Sequence, residues 1–306
     1  MARIASLVPA ATDVVVALGL EADLVGVSHE CDHEAVAGLP RLTSSAVPAA
    51  GATGSADPAT VDAEVAATLA AGDALYRTDR AQLAELAPDV VVTQGICDVC
   101  AITTNAVIGD LPPGARIVEL SASSLAGLGD DVRRVAGALG AESAGHDLVA
   151  DVSAALDAVR AAVAGRERRR VVTVEWGAPP FLGGHWVPEL VDIAGGTDVL
   201  GARGEPSRRS SWEEILDADP DVVAFVPCGY GLDDAVAHAE ELLDDPEVPL
   251  DRLRAVEAGE LWAFDANRAF SRCTPGAVKA AARALSMALH PGLPDPDPAD
   301  ALRVRR

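Results

Sequence analysis

Five cysteines, Cys31, Cys97, Cys100, Cys228 and Cys273, and six histidines carry the widest chemical reach in this chain. A thiolate is a soft metal ligand and a nucleophile, and a neutral imidazole is a ready nitrogen donor. Cys97 and Cys100 stand three apart, so their sulfurs can chelate one soft ion or form a redox pair at a helix N-terminus. A closed zinc or iron–sulfur site needs about four ligands. The others would come from Cys31, Cys228, Cys273, His29, His33 or His185. An odd number of cysteines in a long chain reads as thiols or thiolate ligands rather than a disulfide framework.

These side chains need elements to hold them. Short apolar runs alternate with helical patterns, the signature of βα units and mostly parallel sheets. The first half predicts strands near 3–7, 24–27, 89–93 and 116–119, with helices near 11–19, 59–71, 79–86 and 124–139. Residues 40–58, rich in Pro, Gly, Ala and Ser, read as a surface loop. The second half predicts strands near 170–175, 197–200, 221–226 and 261–264, with helices near 186–194, 211–217, 232–244 and 275–289. Between the halves, Leu148, Val152, Leu156, Val159 and Val163 fall on one face of a helix about 20 residues long, hence roughly 30 Å. The expected organisation is an α/β lobe over 1–143, a linking helix over 144–166, a second α/β lobe over 167–290, and a mobile Pro/Asp-rich tail over 291–306. An imperfect repeat supports two Rossmann-like lobes: Ala87-Pro88-Asp89-Val90-Val91-Val92 is echoed by Asp219-Pro220-Asp221-Val222-Val223-Ala224. A second echo sets the Gly-bounded turn at Gly19 beside that at Gly195-Gly196.

Ligands of open parallel sheets bind outside the carboxyl ends of the strands. The segments there hold Ser28, His29, Glu30 and Cys31, then Gln94 with Cys97 and Cys100, then Glu175, Trp176, His185 and Trp186, then Cys228 and Tyr230, and finally Asp265, Phe270, Arg272 and Cys273. Every cysteine is in such a segment. If the two lobes face one another, thiols, imidazoles and aromatic faces surround one concavity. Glu175 and Asp265 suit ligand-orienting carboxylates. His146 and His238 read as surface residues on helices, and His290 lies near the tail.

Acidic residues number 47 against 24 basic ones, a formal charge of -23, which disfavours nucleic acid and anionic membrane surfaces. No run reaches the ~18 apolar residues of a membrane helix. The N-terminal residues lead straight into a strand-like run, so no secretory signal is legible and a cytoplasmic location is expected. Dinucleotide, P-loop, nucleophile-elbow and HExxH signatures are missing, and no nucleophile–base pair can be placed. That leaves an enzyme the least supported class.

The segment Arg3-Ile4-Ala5-Ser6-Leu7-Val8-Pro9-Ala10-Ala11-Thr12-Asp13 resembles the iron-siderophore and cobalamin substrate-binding proteins of ABC importers. Leu86-Ala87-Pro88-Asp89-Val90-Val91-Val92 and the unit from Trp212-Glu213-Glu214-Ile215-Leu216 to Pro220-Asp221-Val222-Val223 are similar to it too. The resemblance covers residues 3 to about 290 and implies the class III periplasmic-binding-protein-like architecture, two α/β lobes joined by one long helix. Ser28-His29-Glu30-Cys31-Asp32 and Cys97-Asp98-Val99-Cys100 look like a cobalamin-binding branch that often lacks an export signal. The resemblance implies a corrinoid or similar metal-chelate ligand, and an ABC permease as partner. On this reading Ser28, His29, Glu30, Cys31, Gln94, Glu175, Trp176, His185, Trp186, Tyr230, Phe270 and Arg272 contact the ligand. The alternative makes Cys31, Cys97, Cys100, Cys228 and Cys273 direct ligands of zinc or an iron–sulfur cluster.

Overall fold

The computed structural model describes residues 2–47, 58–71, 73–96, 102, 104–107, 109, 111–294 and 296–304. The chain divides into two compact units: Met1–Ala122 with Ala126–Val149, and Ser123–Leu125 with Ala150–Arg306.

The first unit contains strands β1 (Ile4–Ser6), β2 (Leu24–Val27), β3 (Thr43–Ser45), β4 (Tyr76–Thr78), β5 (Val90–Gln94) and β6 (Arg116–Leu120). Its helices are α1 (Pro9–Ala17), α2 (Pro58–Ala70), α3 (Arg80–Leu86), α4 (Thr104–Val107) and α5 (Leu125–Leu139). The main sheet is parallel, in the order β2-β1-β5-β6. Val90, Val91 and Val92 are all fully buried, as an unbroken β-branched run covered on both faces should be. Within the stretch expected to be a plain loop, β3 pairs antiparallel with β4, Thr43 opposite Thr78. Its polar sequence Thr-Ser-Ser hides a strand whose role is hydrogen bonding rather than apolar burial.

Helix α6 (Glu142–Val163) begins in the first unit and ends in the second. Of its predicted apolar face, Leu156 and Val163 are buried. The sole lysine, Lys279, meets this helix through Asp151 Oδ2 at 2.6 Å.

The second unit contains β7 (Arg169–Gly177), β8 (Pro180–Leu182), β9 (Gly196–Asp198), β10 (Arg208–Arg209), β11 (Val222–Phe225), β12 (Leu261–Phe264) and β13 (Ala301–Arg303). Its helices are α7 (Val187–Ile193), α8 (Trp212–Ala218), α9 (Leu232–Asp244), α10 (Arg254–Glu257), α11 (Ala266–Ala269) and α12 (Pro275–Leu289). Strand order is β10-β8-β7-β11-β12-β13, with β9 also on β7. The β9-β7, β7-β11 and β11-β12 pairs are parallel; β8, β10 and β13 run antiparallel to their neighbours. Phe225, Val172, Val174, Ile215 and Leu250 form part of the core between this sheet and its helices. Local signals set the helix starts: Ser211 Oγ accepts from Glu214 N–H at α8, and Thr274 Oγ1 accepts from Ala277 N–H at α12, where Pro275 follows.

The sequence echo has a structural counterpart in each unit. Ala87 and Asp219 end α3 and α8 in the left-handed conformation, with φ of 39° and 40°. Asp89 Oδ2 accepts the backbone N–H of Arg3 at 2.8 Å, and Asp221 Oδ2 accepts that of Arg170 at 2.8 Å. The Arg3 guanidinium donates to Leu86 O and that of Arg170 to Ala218 O, so each pair ties a strand start to the end of a helix. Gly19 and Gly195 likewise share a positive φ, 75° and 80°, after α1 and α7.

Two expectations are corrected. The residues after His290 are not all a mobile extension, because β13 adds to the edge of β12, Ala301 and Val304 are buried, and the Arg303 guanidinium lies 4.6 Å from the Trp262 ring centre. Arg268 and Asp300 close the same edge at 2.9 Å. His238 is not a surface residue: it is 5 % exposed, on the α9 face that also buries Leu232, Ala235, Ala239 and Leu242. Gly177, with no side chain, leaves the room it occupies.

Candidate functional site

In the first unit, β2 ends at Val27 and delivers Ser28, His29, Glu30 and Cys31 to its carboxyl end. Ser28 is buried, and its Oγ lies 3.0 Å from Thr43 Oγ1 on β3. The same Thr43 oxygen accepts the backbone N–H of His29 at 3.1 Å and lies 2.7 Å from His29 Nδ1. Glu30 N–H donates to Ser28 Oγ, and the Arg41 guanidinium donates to the carbonyls of Ser28 and Cys31, fixing the turn. The Tyr76 ring sits 6.1 Å from the imidazole. Burial, with a smaller contribution from the Arg41 charge, holds the His29 pKa below 6.5. Gln94, at the end of β5, is buried and turns its Oε1 back to accept Ile96 N–H at 2.8 Å.

Cys31 is 4 % exposed, with Sγ 3.1 Å from Thr12 Oγ1, which donates to Ser6 Oγ. With the Thr12 proton committed to Ser6, the thiol is the donor to Thr12 Oγ1. Cys97 and Cys100 lie outside the described residues.

In the second unit, Trp176 near the end of β7 and Tyr230 after β11 meet edge to face, 5.6 Å between centroids. His238 lies beneath both, 6.2 Å from Trp176 and 5.9 Å from Tyr230, and 5.4 Å from Phe225. Its Nδ1 is 3.4 Å from Glu241 Oε2. The Tyr230 loop is tied to α11: Asn267 N–H donates to Tyr230 O, Asn267 Nδ2 to Gly229 O, and Gly229 N–H to Ser271 Oγ. Glu175 is partly buried, and its backbone carbonyl accepts Cys228 N–H.

His185 occupies the left-handed region, φ 51°, clamped by His185 N–H to Glu205 O at 2.6 Å and Gly204 N–H to His185 O at 2.9 Å. A non-glycine residue held there costs free energy that the surrounding contacts must offset, a pattern common at functional positions. Its ring lies 5.8 Å from that of Trp186, and burial lowers its pKa below 6.5. Trp186 is 9 % exposed, with its Nε1 buried and without a hydrogen-bond partner among the described residues.

Phe270 is 4 % exposed and packs edge to face on Phe264. Arg272 is partly exposed. Asp265 caps α11 by accepting Arg268 N–H, and burial raises its pKa. Cys228 is exposed, and Cys273 is partly buried with Sγ 4.0 Å from Ser124 O. Among the described residues, no group of three or more His, Cys, Asp or Glu side chains is placed to hold a metal ion.

Each unit therefore builds its own small constellation: a hydroxyl-anchored imidazole in the first, an aromatic box in the second. Thr43, Tyr76 and Arg41 escape the sequence reading because they belong to a hairpin between polar segments. Tyr76, one of only two tyrosines, is the signal that was available.

The two desolvated imidazoles give a direct expectation. In a histidine-resolved NMR titration, His29 and His185 should each have a midpoint below 6.5, and Arg41→Ala should move the His29 midpoint upward. The unfolded chain takes up protons first as pH falls, so each neutral ring favours folding above about pH 6.5 and loses that contribution on acidification. Midpoints above 6.5 would contradict the burial described.

A family model described as periplasmic binding protein matches residues 4–267. No curated protein matches the chain. Among solved structures, an ABC transporter substrate-binding protein of Listeria monocytogenes EGD-e has a TM-score of 0.69 at 17% identity, with 94% of this chain and 98% of that one covered. A periplasmic heme binding protein of Pseudomonas aeruginosa gives 0.67 at 21%, covering 95% and 94%. A periplasmic vitamin B12 binding protein of Vibrio cholerae gives 0.62 at 20%, covering 94% and 96%. These likenesses establish the fold.

Proposed function

The chain belongs to the periplasmic binding protein family, and from that premise we propose that it is a substrate-binding protein for a metal-chelate small molecule with a broad apolar face, such as a corrinoid. The observation that carries this reading is the Trp176, Tyr230 and His238 ring cluster at the carboxyl ends of β7 and β11. Flat aromatic faces with a few polar anchors suit a large, partly apolar ligand. Two proteins of like fold are described as binding heme and vitamin B12, which supports the same ligand class. Ser28, His29, Glu30 and Gln94 in the first unit, and Glu175, His185, Trp186 and Arg272 in the second, are the proposed polar and aromatic anchors. An ABC permease is the proposed partner. The thiolate-ligated metal reading has no observation in its favour among the described residues.

Titration with cyanocobalamin, dicyanocobinamide and hemin, followed by calorimetry and visible absorption, tests the proposal. At least one should bind, and Trp176→Ala should weaken it about 30-fold, the loss of ~2 kcal/mol expected of a central aromatic contact. Failure of all three to bind would reject the function.

A further inference from the structure

We propose that the groove between α6 and α12 is a second binding site, for an alkyl carboxylate of medium chain length, with its head on Arg283 and its chain running toward Leu293 and Pro294. The site lies wholly within the second unit. None of the residues lining it belongs to the anchors proposed for the chelate, so the failure of one site leaves the other standing.

The groove follows from how the two helices are tied. Lys279 Nζ on α12 meets Asp151 Oδ2 on α6 at 2.6 Å, and Arg166 just past α6 donates to Pro291 O just past α12 at 3.5 Å, so the helices run side by side in one direction. Between these ties lies a groove of about 460 Å³. Ala155, Ala158 and Ala162 form much of its α6 wall, at steps of three and four on one helix face. Their side chains are too short to fill the space beside α12, and Ala158 and Ala162 are exposed. Met287 on α12 and Leu293 and Pro294 in the turn beyond it extend the apolar lining. That turn is held by Leu293 N–H donating to His290 O at 3.1 Å.

The charge on the groove is the reverse of the charge on the chain. The sequence carries a formal charge of -23, yet the two ionisable side chains lining the groove are Lys279 and Arg283. Lys279 is committed to Asp151. Arg283 is exposed, and its guanidinium makes no ion pair or hydrogen bond among the described residues. One turn on from the Lys279–Asp151 tie, Arg283 and Ala155 mark the cationic end, and the apolar surface continues from there toward Ala162 and Leu293. A guanidinium fork pairs bidentately with a carboxylate, and each methylene laid along this surface leaves water.

Size selects among the anions that have an apolar part. Ala155 to Ala162 spans about 10 Å of helix, and the volume falls in the range of small-molecule sites. Ten residues line the groove, against the roughly 20–30 on each side of a stable protein interface. A single alkyl chain fits these dimensions, and a partner helix or a second copy does not.

The test titrates the full chain with octanoate, decanoate and dodecanoate below their micelle concentrations, followed by calorimetry and by labelled methionine methyl resonances. The chain has two methionines, Met1 and Met287, so the second reports on the groove directly. One equivalent should bind and shift the Met287 methyl, and affinity should rise about two- to fourfold per added methylene, the larger value being full burial. Arg283→Ala should weaken decanoate binding about 10-fold or more, as loss of a hydrogen bond to a charged group does. Ala158→Phe, which fills the groove from an exposed position, should abolish binding and the shift. Ala161→Phe, exposed on α6 outside the groove, should leave both unchanged, and Trp176→Ala should bind decanoate as the wild type does. Equal binding of decanoate and decyltrimethylammonium, or of decanoate by wild type and Arg283→Ala, overturns the anion assignment. Binding that survives Ala158→Phe, or that Ala161→Phe or Trp176→Ala removes, overturns the location. No saturable binding, no Met287 shift, or binding only to anionic phospholipid vesicles overturns the proposal and leaves the chelate-binding function standing.

Discussion

Phe225→Ala should be the most damaging single truncation in the second unit, costing about 3–5 kcal/mol by the usual scale for removing a buried phenylalanine. Phe225 is 2 % exposed on β11, which is hydrogen-bonded on both sides, to β7 and β12. Backbones held on both sides cannot close over the missing ring, so a cavity remains and the loss falls toward the top of that range. Domains are commonly stable by only 5–15 kcal/mol, so the change consumes a large share of the reserve. The ring is also the floor beneath His238, which in turn underlies Trp176 and Tyr230. Urea unfolding should show a much lower midpoint at unchanged slope, and near-ultraviolet dichroism from the ring cluster should weaken. Phe225→Leu should cost far less. A loss below 1 kcal/mol for the alanine variant would mean that the sheet can collapse onto the gap.

Gly184→Ala should destabilise the protein by about 3 kcal/mol or more, the upper part of the range for overpacking. A Cβ there would sit 2.4 Å from Ser207 N, 2.5 Å from Glu205 O and 2.6 Å from the Pro206 carbonyl carbon. These are backbone atoms, so relief requires parting the two segments and breaking the hydrogen bonds that clamp His185 to Glu205 and Gly204. Affinity for any ligand that uses His185 or Trp186 should fall in parallel. Gly276→Ala is the matched control: it lies exposed in α12 and a Cβ would meet nothing within 4 Å. That substitution should be neutral or stabilise by up to about 1 kcal/mol, because it restricts only the unfolded chain. Equal denaturation midpoints for the two variants would refute the packing described around Gly184.

The contrast between these sites shows where sequence reading succeeds. Runs such as Val90-Val91-Val92 and Val222-Val223-Ala224-Phe225 announce strands because burial on both faces demands uninterrupted apolar residues. Helix ends were legible because Ser211, Thr274 and Pro275 do their work within a few residues. The Arg3–Asp89 and Arg170–Asp221 ties were visible only as a repeated Pro-Asp, since their arginine partners are distant in sequence. Strands β3, β4, β8, β10 and β13 were missed: each has three residues or fewer, too short for periodicity, and is made by its partner strand. For the candidate site, residue type and position after a strand point to Ser28, His29, Trp176 and Tyr230, which lie at or just after the ends of β2, β7 and β11. Thr43 required knowing that a hairpin reaches across to β2. His238 is deceptive in sequence because one polar residue on an otherwise apolar helix face looks like a solvent-facing position, whereas Gly177 makes space for it. Cysteine placement points to a shared sulfur centre; Cys31 lies buried with Sγ 3.1 Å from Thr12 Oγ1, and Cys97 and Cys100 lie outside the described residues.

The ion pair between Lys279 on α12 and Asp151 on α6 has a practical corollary. With every other basic side chain of the sequence a guanidinium or an imidazole, reductive methylation with labelled formaldehyde would leave one dimethyl-lysine side-chain resonance in the whole protein. Its chemical shift would report the contact between those helices within the second unit, without mutagenesis, whether the protein is empty or loaded.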